Sequence, residues 1–324
     1  MDTATVKTRL LIISDTHGMD FSLADRPLQS ADVAIHCGDL TDGSKLNEFR
    51  TTINMLKSID APLKLAIAGN HDFTLDDVAF EKKVIEAVPP LDPELVAKEY
   101  GTIGKAKQMF RDAENAGIMY LDEGTHHFIL QNGAQLTVYA SPYTPAFGAW
   151  GFQYYPEDDH NFFINKTVDV VITHGPAKGI MDYTYGRERA GCADLFAAIA
   201  QARPRVHCFG HIHEGWGARL VTWREAYGEQ PTHFTAIDNN SSHVIETLAT
   251  LKPSRFDTEE AAVQKLKNLE HYQQARCCET NHSSDGKYPL SDKQTLFVNA
   301  SAQDSEGYLT QRPWLVNIEL PRAR

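Results

Sequence analysis

The amino-acid sequence predicts an α/β fold with a largely parallel or mixed sheet. Two patterns along the 324-residue chain carry that expectation. Short continuous apolar runs recur, each stopping at glycine or polar residues, as strands buried on both faces do. Stretches of helical spacing lie between them. The composition agrees: 42% hydrophobic and 23% charged residues exclude a disordered, collagen-like or coiled-coil chain.

Leu10-Leu-Ile-Ile-Ser14 is the first such run. Ala31-Asp-Val-Ala-Ile35, Leu63-Lys-Leu-Ala-Ile67, Val168-Asp-Val-Val-Ile172 and Val206-His-Cys-Phe209 repeat it. Helical spacing covers 46–56, 76–88, 93–110 and 193–202. His127-Phe-Ile-Leu130 and Gln135-Leu-Thr-Val-Tyr-Ala140 flank Asn132-Gly133, a strong hairpin signal. From about 218 to 294 the pattern weakens. Residues 244–251 are mildly apolar. Asp257 and Glu260 resemble a capping box, and Ala262, Leu266 and Leu269 follow on one helical face, giving an amphipathic helix to about Arg276. Asn281-His-Ser-Ser-Asp-Gly286 reads as a polar, disordered loop. Thr295-Leu-Phe-Val-Asn299 and Trp314-Leu-Val-Asn-Ile-Glu-Leu320 read as closing strands.

Charge narrows the function. Thirty-one Lys and Arg stand against 43 Asp and Glu, a net −12. That balance disfavours long nucleic acid, whose phosphates need clustered cations, and disfavours an anionic membrane surface. A small anion remains open if positive charge is supplied locally. The five cysteines show no C-x-x-C spacing, so neither a disulfide framework nor a thiolate zinc site is indicated. With no apolar signal core at residues 1–9 and no long apolar run, a reduced cytoplasmic setting is expected.

The chemistry gathers where strands end. The first run stops at Asp15-Thr-His17 and the second at Gly38-Asp39. The others stop at Gly69-Asn70-His71-Asp72, His174-Gly175 and Gly210-His211-Ile-His213. In open α/β sheets ligands bind beyond the carboxyl ends of strands. Carboxylate oxygen and imidazole nitrogen suit manganese, iron or zinc. A lone His at a strand end is usually structural, but five such clusters in one chain point to a metal pair.

These five clusters resemble the motifs of the calcineurin-like metallophosphoesterases. Thr173-His-Gly-Pro-Ala-Lys-Gly179, His207-Cys-Phe-Gly-His-Ile-His-Glu-Gly215 and Arg312-Pro-Trp-Leu-Val-Asn-Ile-Glu-Leu-Pro321 are similar to the UPF0046-type, metallophosphoesterase-domain-containing subfamily. The resemblance covers nearly everything except about 218–294. It implies a four-layer α/β/β/α sandwich with mixed sheets, as one domain over 1–324 with an insertion at about 218–294. It implies that Asp15, His17, Asp39 and His213 hold one divalent ion. Asp39, Asn70, His174 and His211 would hold a second, with Asp39 bridging. Manganese is expected first, with iron or zinc as alternatives. A hydroxide bridging the metals would attack phosphorus. His71 would protonate the leaving oxygen, oriented by Asp72.

The activity so implied is hydrolysis of a small, nucleotide-like phosphodiester. The rivals are a phosphomonoesterase on a small metabolite or phosphoprotein, and a nucleotide-binding regulator with vestigial activity. The presence of His213 favours an active enzyme. The insertion reads as disordered decoration or as a substrate lid, and His233, His243, His271 and His282 inside it are not expected to bind the metals. The segment 143–155, with Phe147, Trp150, Phe152, Tyr154 and Tyr155, reads as a loop anchor or as a wall for an aromatic ring. Arg187 and Arg189 are candidates to contact a phosphate.

Overall fold

The computed structural model describes residues 4–146, 148–226 and 228–323, so Phe147 of the aromatic segment lies outside the described residues. In chain order the early strands are β1 (Thr5–Ile13), β2 (Val33–His36), β3 (Leu63–Ala66), β4 (Ile118–Tyr120), β5 (Gly124–Ile129) and β6 (Gln135–Ser141). Two short strands, β7 (Thr144–Pro145) and β8 (Gln153–Tyr154), pair with each other. Then come β9 (Val170–Thr173), β10 (Val206–Phe209), β11 (Gly217–Trp223), β12 (Ile237–Thr247), β13 (Cys278–Asn281), β14 (Gln294–Asn299) and β15 (Trp314–Pro321). The helices are α1 (Leu46–Ser58), α2 (Asp77–Ile85), α3 (Pro93–Glu99), α4 (Lys105–Arg111), α5 (Ala193–Ala202), α6 (Leu248–Leu251) and α7 (Glu259–Ala275).

One sheet has the order β13-β15-β1-β2-β3-β4 and the other β12-β11-β14-β10-β9-β6-β5. Both are mixed: in the first, β1, β2, β3 and β4 run parallel while β15 is antiparallel to β1. The apolar runs explain the layering, because successive side chains point to opposite faces. Leu10 and Ile12 enter a core shared with Val170, Ile172, Val206 and Cys208 of the second sheet. Leu11 and Ile13 face the other way, onto Phe49, Ile53 and Leu56 of α1 and Phe110 of α4. On the far side Val171, Phe209 and Phe297 pack on Leu195, Phe196 and Ile199 of α5. This is the four-layer α/β/β/α arrangement. Each fully buried Leu, Ile or Val contributes roughly 1.5–3 kcal/mol. Among the described residues no helix is long and apolar enough to cross a membrane.

Three expectations change. Strand β1 begins at Thr5 rather than Leu10, because Thr5 to Ile12 pair with Pro321 to Trp314 of the chain's last strand. The helix expected over 93–110 breaks into α3 and α4 around Gly101 and Gly104, both at positive φ (80° and 79°). The insertion is not disordered decoration. Its β11 pairs with β14, its β12 with β11, and its β13 with β15, so it extends both sheets. The expected polar loop includes the buried His282 and Ser283. His282 N donates to Asn317 O (2.8 Å).

Candidate metal centre

Backbone bonds draw the strand ends together. Ser14 N donates to Ala300 O (2.9 Å) and Ala302 N to Ser14 O (2.8 Å), joining the end of β1 to the end of β14 across the two sheets. Asp15 N donates to Gly38 O (3.0 Å), His17 N to Asp39 O (3.0 Å) and Gly210 N to His174 O (2.9 Å). Four of the expected ligands sit at positive φ: Asp15 (54°), His17 (46°), Asp39 (51°) and His211 (67°). That conformation costs a non-glycine residue roughly 1–2 kcal/mol, and such strain concentrates at functional sites. Gly210 and Gly69 are needed for close approach. A Cβ on Gly210 would meet the Asp15 carboxylate and Ser14 Oγ, and one on Gly69 would meet Asp39.

Six side chains named from the sequence as ligands fall into overlapping groups. Asp15, His17 and His213 bring ligand-competent atoms within 4.8 Å of one another, as do His17, Asp39 and His71, and Asp39, His174 and His211. Asp39 Oδ2 lies 3.8 Å from His17 Nε2 and 3.3 Å from His174 Nε2. Asp15 Oδ1 lies 3.5 Å from His213 Nε2. Asn70 joins them, its Oδ1 3.0 Å from His174 Nε2.

The electrostatics reflect this crowding. Burial opposes ionisation of Asp15 and Asp39, yet the surrounding imidazoles hold both carboxyls below the usual range. Burial would also lower His174, but Asp39 outweighs it and raises the imidazole to about 9. His213 is raised in the same way by Asp15. His17 and His211 are lowered, chiefly by burial, His211 to about 4. The donor set fits divalent ions. Both ring nitrogens of His17 are buried without a hydrogen-bond partner among the described residues. Each such atom costs roughly 1–3 kcal/mol unless something ligates it.

His71 stands at the rim. Its Nδ1 donates to Asp42 O (2.6 Å), and its Nε2 makes no hydrogen bond among the described residues. Its ring stacks on Trp150 with centroids 4.3 Å apart. Asp72 does not orient this ring. It is fully buried and accepts four hydrogen bonds, from Gly69 N (2.8 Å), Leu40 N (3.0 Å), Thr41 N (2.9 Å) and Thr41 Oγ1 (2.6 Å). It therefore ties the loop after β3 to the loop after β2. Burial and the Asp39 charge push its carboxyl up to about 7, against the Thr41 hydroxyl and the Gly69 and Leu40 amides. The residue missed by sequence reasoning is Asp42, whose Oδ1 also lies 3.8 Å from His71 Nδ1 and 3.7 Å from His17 Nδ1. Its signal is a second acid three positions after Asp39, in Gly38-Asp39-Leu-Thr-Asp42-Gly43.

Of the other candidates, Arg189, His243 and His282 have structural partners. Arg189 is engaged by the buried Asp182 (2.6 Å). Arg187 occupies a turn at positive φ (61°). His282 is hydrogen-bonded to Tyr288 O (2.8 Å), and His243 stacks on Tyr288.

Comparison with known proteins supplies the family. The model of the calcineurin-like phosphoesterases matches residues 8–215. Metallophosphoesterase domain-containing protein 1 of Homo sapiens is 32% identical over 226 residues, covering 65% of this chain and 62% of that protein. A UPF0046 protein of Caenorhabditis elegans is 30% identical over 217 residues, 64% of this chain and 52% of its own length. The probable rhamnogalacturonate lyase C of Emericella nidulans is 32% identical over 219 residues, 66% of this chain but 18% of that protein. The chain thus spans less than two thirds of each relative. With the matched segment running from within β1 to just past His213, the chain belongs to the calcineurin-like phosphoesterase family.

Proposed function

We propose that this chain hydrolyses a small, nucleotide-like phosphodiester at a pair of divalent ions, manganese first among the candidates. The observation that carries the reading is the convergence of Asp15, His17, Asp39, His174, His211 and His213 within overlapping ligand groups. Bound there, two divalent ions supply a nucleophilic water near neutral pH and neutralise the phosphoryl oxygens. Asp15, His17 and His213 would hold one. Asn70, His174 and His211 would hold the other, with Asp39 between them.

The chain's own residues do the rest. Asp42 O accepts the Nδ1 hydrogen of His71, so the exchangeable proton of the cationic ring sits on Nε2. From there it passes to the leaving oxygen, a contribution of roughly 10²–10⁴ in rate. Asp72 keeps the loops carrying Asp39 and His71 in register. Net charge of −12 supports a small substrate over a long polyanion. Five unpaired cysteines support a reducing compartment such as the cytoplasm.

The test is turnover of bis-p-nitrophenyl phosphate against p-nitrophenyl phosphate by manganese-loaded protein, with metal content measured alongside. Faster diester turnover with two ions per chain is the expected result. Much faster monoester turnover would replace this reading with a phosphomonoesterase. Nucleotide binding without hydrolysis would replace it with a regulator.

A further inference from the structure

Next to Trp150, the residue stacked on His71, the chain builds a recess that the metal chemistry does not use. Trp150, stacked on His71, is also a wall of a cavity of about 630 Å³. That volume lies in the range of small-molecule sites, about 300–1,000 Å³. Its lining also includes Lys82 and Lys83 of α2, Asp76 just before that helix, and Tyr155. Trp150 and Tyr155 both present exposed aromatic surface.

Lys83 is the unusual group. Its Nζ lies 4.7 Å over the Phe73 ring and 4.9 Å over the Trp150 ring. Burial alone moves its pKa, downward, and no acidic neighbour among the described residues offsets it. Asp76, in the same lining, is occupied by Ala79 N (3.1 Å) and Phe152 N (2.9 Å), and Glu86 is exposed. Cation–π contact is worth only about 0.5–1 kcal/mol at such a site. The ammonium therefore retains attraction for an incoming anion.

We infer that this recess is the leaving-group subsite, taking an alcohol that carries an aromatic ring and a second negative charge. The ring lies against Tyr155 and the exposed part of Trp150, and the anion meets Lys83. This rests on the reading of His71 as proton donor. Hydrolysis breaks the P–O bond to the leaving alcohol, water supplies the new P–OH, and the expelled oxygen takes the His71 proton. The organic group attached to that oxygen then occupies the space beside His71.

The test compares methyl 3-carboxyphenyl phosphate with its 3-carbamoylphenyl analogue, whose expelled phenols leave with similar ease. The wild type should favour the carboxylate by about tenfold in kcat/KM, the scale of one charge-assisted hydrogen bond. In Lys83→Met that ratio should fall to about one; because it is taken within one protein, the folded fraction cancels. Calorimetry with 3-hydroxybenzoate, the expelled alcohol, should show the same loss of binding in Lys83→Met without any turnover. Equal kcat/KM for the two esters in the wild type, or a preference surviving in Lys83→Met, would overturn the subsite. Neither ester hydrolysed while 3-hydroxybenzoate still binds through Lys83 would overturn the hydrolase reading and leave the recess as an anion site.

Discussion

At one end of the first sheet β1 runs out into Asp15 and His17, both at positive φ. At one edge of the same sheet β13 pairs with β15 in regular parallel register, from Cys278 opposite Trp314 to Asn281 opposite Asn317. The first region is irregular, buried and crowded with charge. The second is ordinary backbone pairing supplied by the segment 218–294. In the first, side-chain identity should decide chemistry with modest effect on stability. In the second, packing should decide stability with no effect on chemistry per folded molecule.

The widest separation should come from two substitutions inside the first region. Asp39→Asn removes the carboxylate shared between His17 and His174. It should abolish both metal binding and activity. His71→Ala should cost roughly 10²–10⁴ in kcat and leave both ions bound. Metal content by elemental analysis, set beside turnover, checks the pair. Equal metal loss in the two variants would place His71 among the ligands, a role its nearness to His17 and Asp39 also allows.

The segment that supplies β13 also supplies β11 of the other sheet, where Leu220→Ala should do the reverse. Leu220 lies on β11 and is 1% exposed in the core between the sheets. Its loss should cost about 2–5 kcal/mol of stability while kcat per folded molecule holds. Denaturant unfolding and active-site titration measure the two sides. A fall in kcat without a fall in stability would show that the segment acts on the site directly.

This contrast also explains what is legible in the sequence. The strands ending at Asp15, Asp39, Asn70, His174 and His211 announce themselves by local signals: a continuous apolar run, then a ligand type, with a glycine just before it at Asp39, Asn70 and His211. Strand β13 has four residues and answers to a partner 36 positions further along, opposite Trp314. Most of β12 is exposed or half-buried, so its sequence carries little alternation. Pairing of that kind is set by long-range register, which no local window contains. The role of Asp72 is hidden for a related reason. Adjacency to His71 suggests contact, but the backbone turn sends its carboxylate toward Leu40 and Thr41 instead.

Asp72→Asn sharpens that correction with a smaller effect. Both carboxylate oxygens accept from backbone N–H groups, so either orientation of the amide sets an NH₂ against a donor. The expected cost is roughly 1–3 kcal/mol. Metal affinity and kcat should fall together, since the loops carrying Asp39 and His71 lose their tie. A fall in kcat alone, at unchanged melting temperature and metal affinity, would restore Asp72 as the partner of His71.

The last contrast separates two histidines four positions apart. His211 ends a strand and belongs to the metal groups. His207 lies within β10, against Phe209 and Phe297. Thr173 Oγ1 gives its hydrogen to Gly175 O (2.7 Å), so His207 Nε2 donates to Thr173 (2.8 Å), and its Nδ1 is buried without a partner among the described residues. Burial lowers the His207 pKa to about 3, against roughly 6.5 in an unfolded chain. Between those values the unfolded chain holds a proton that the folded chain lacks. Stability from this group is therefore complete above about pH 6.5 and falls as pH drops toward 3, by at most about 1.4 kcal/mol per pH unit. His207→Leu should flatten the acid limb of stability, measured by urea unfolding between about pH 4 and 8, with metal content unchanged. Parallel pH profiles for the variant and the wild type would mean that this imidazole does not sense pH from inside the sheet. The acid sensitivity would then belong to the strand ends, where the buried, lowered His17 and His211 sit.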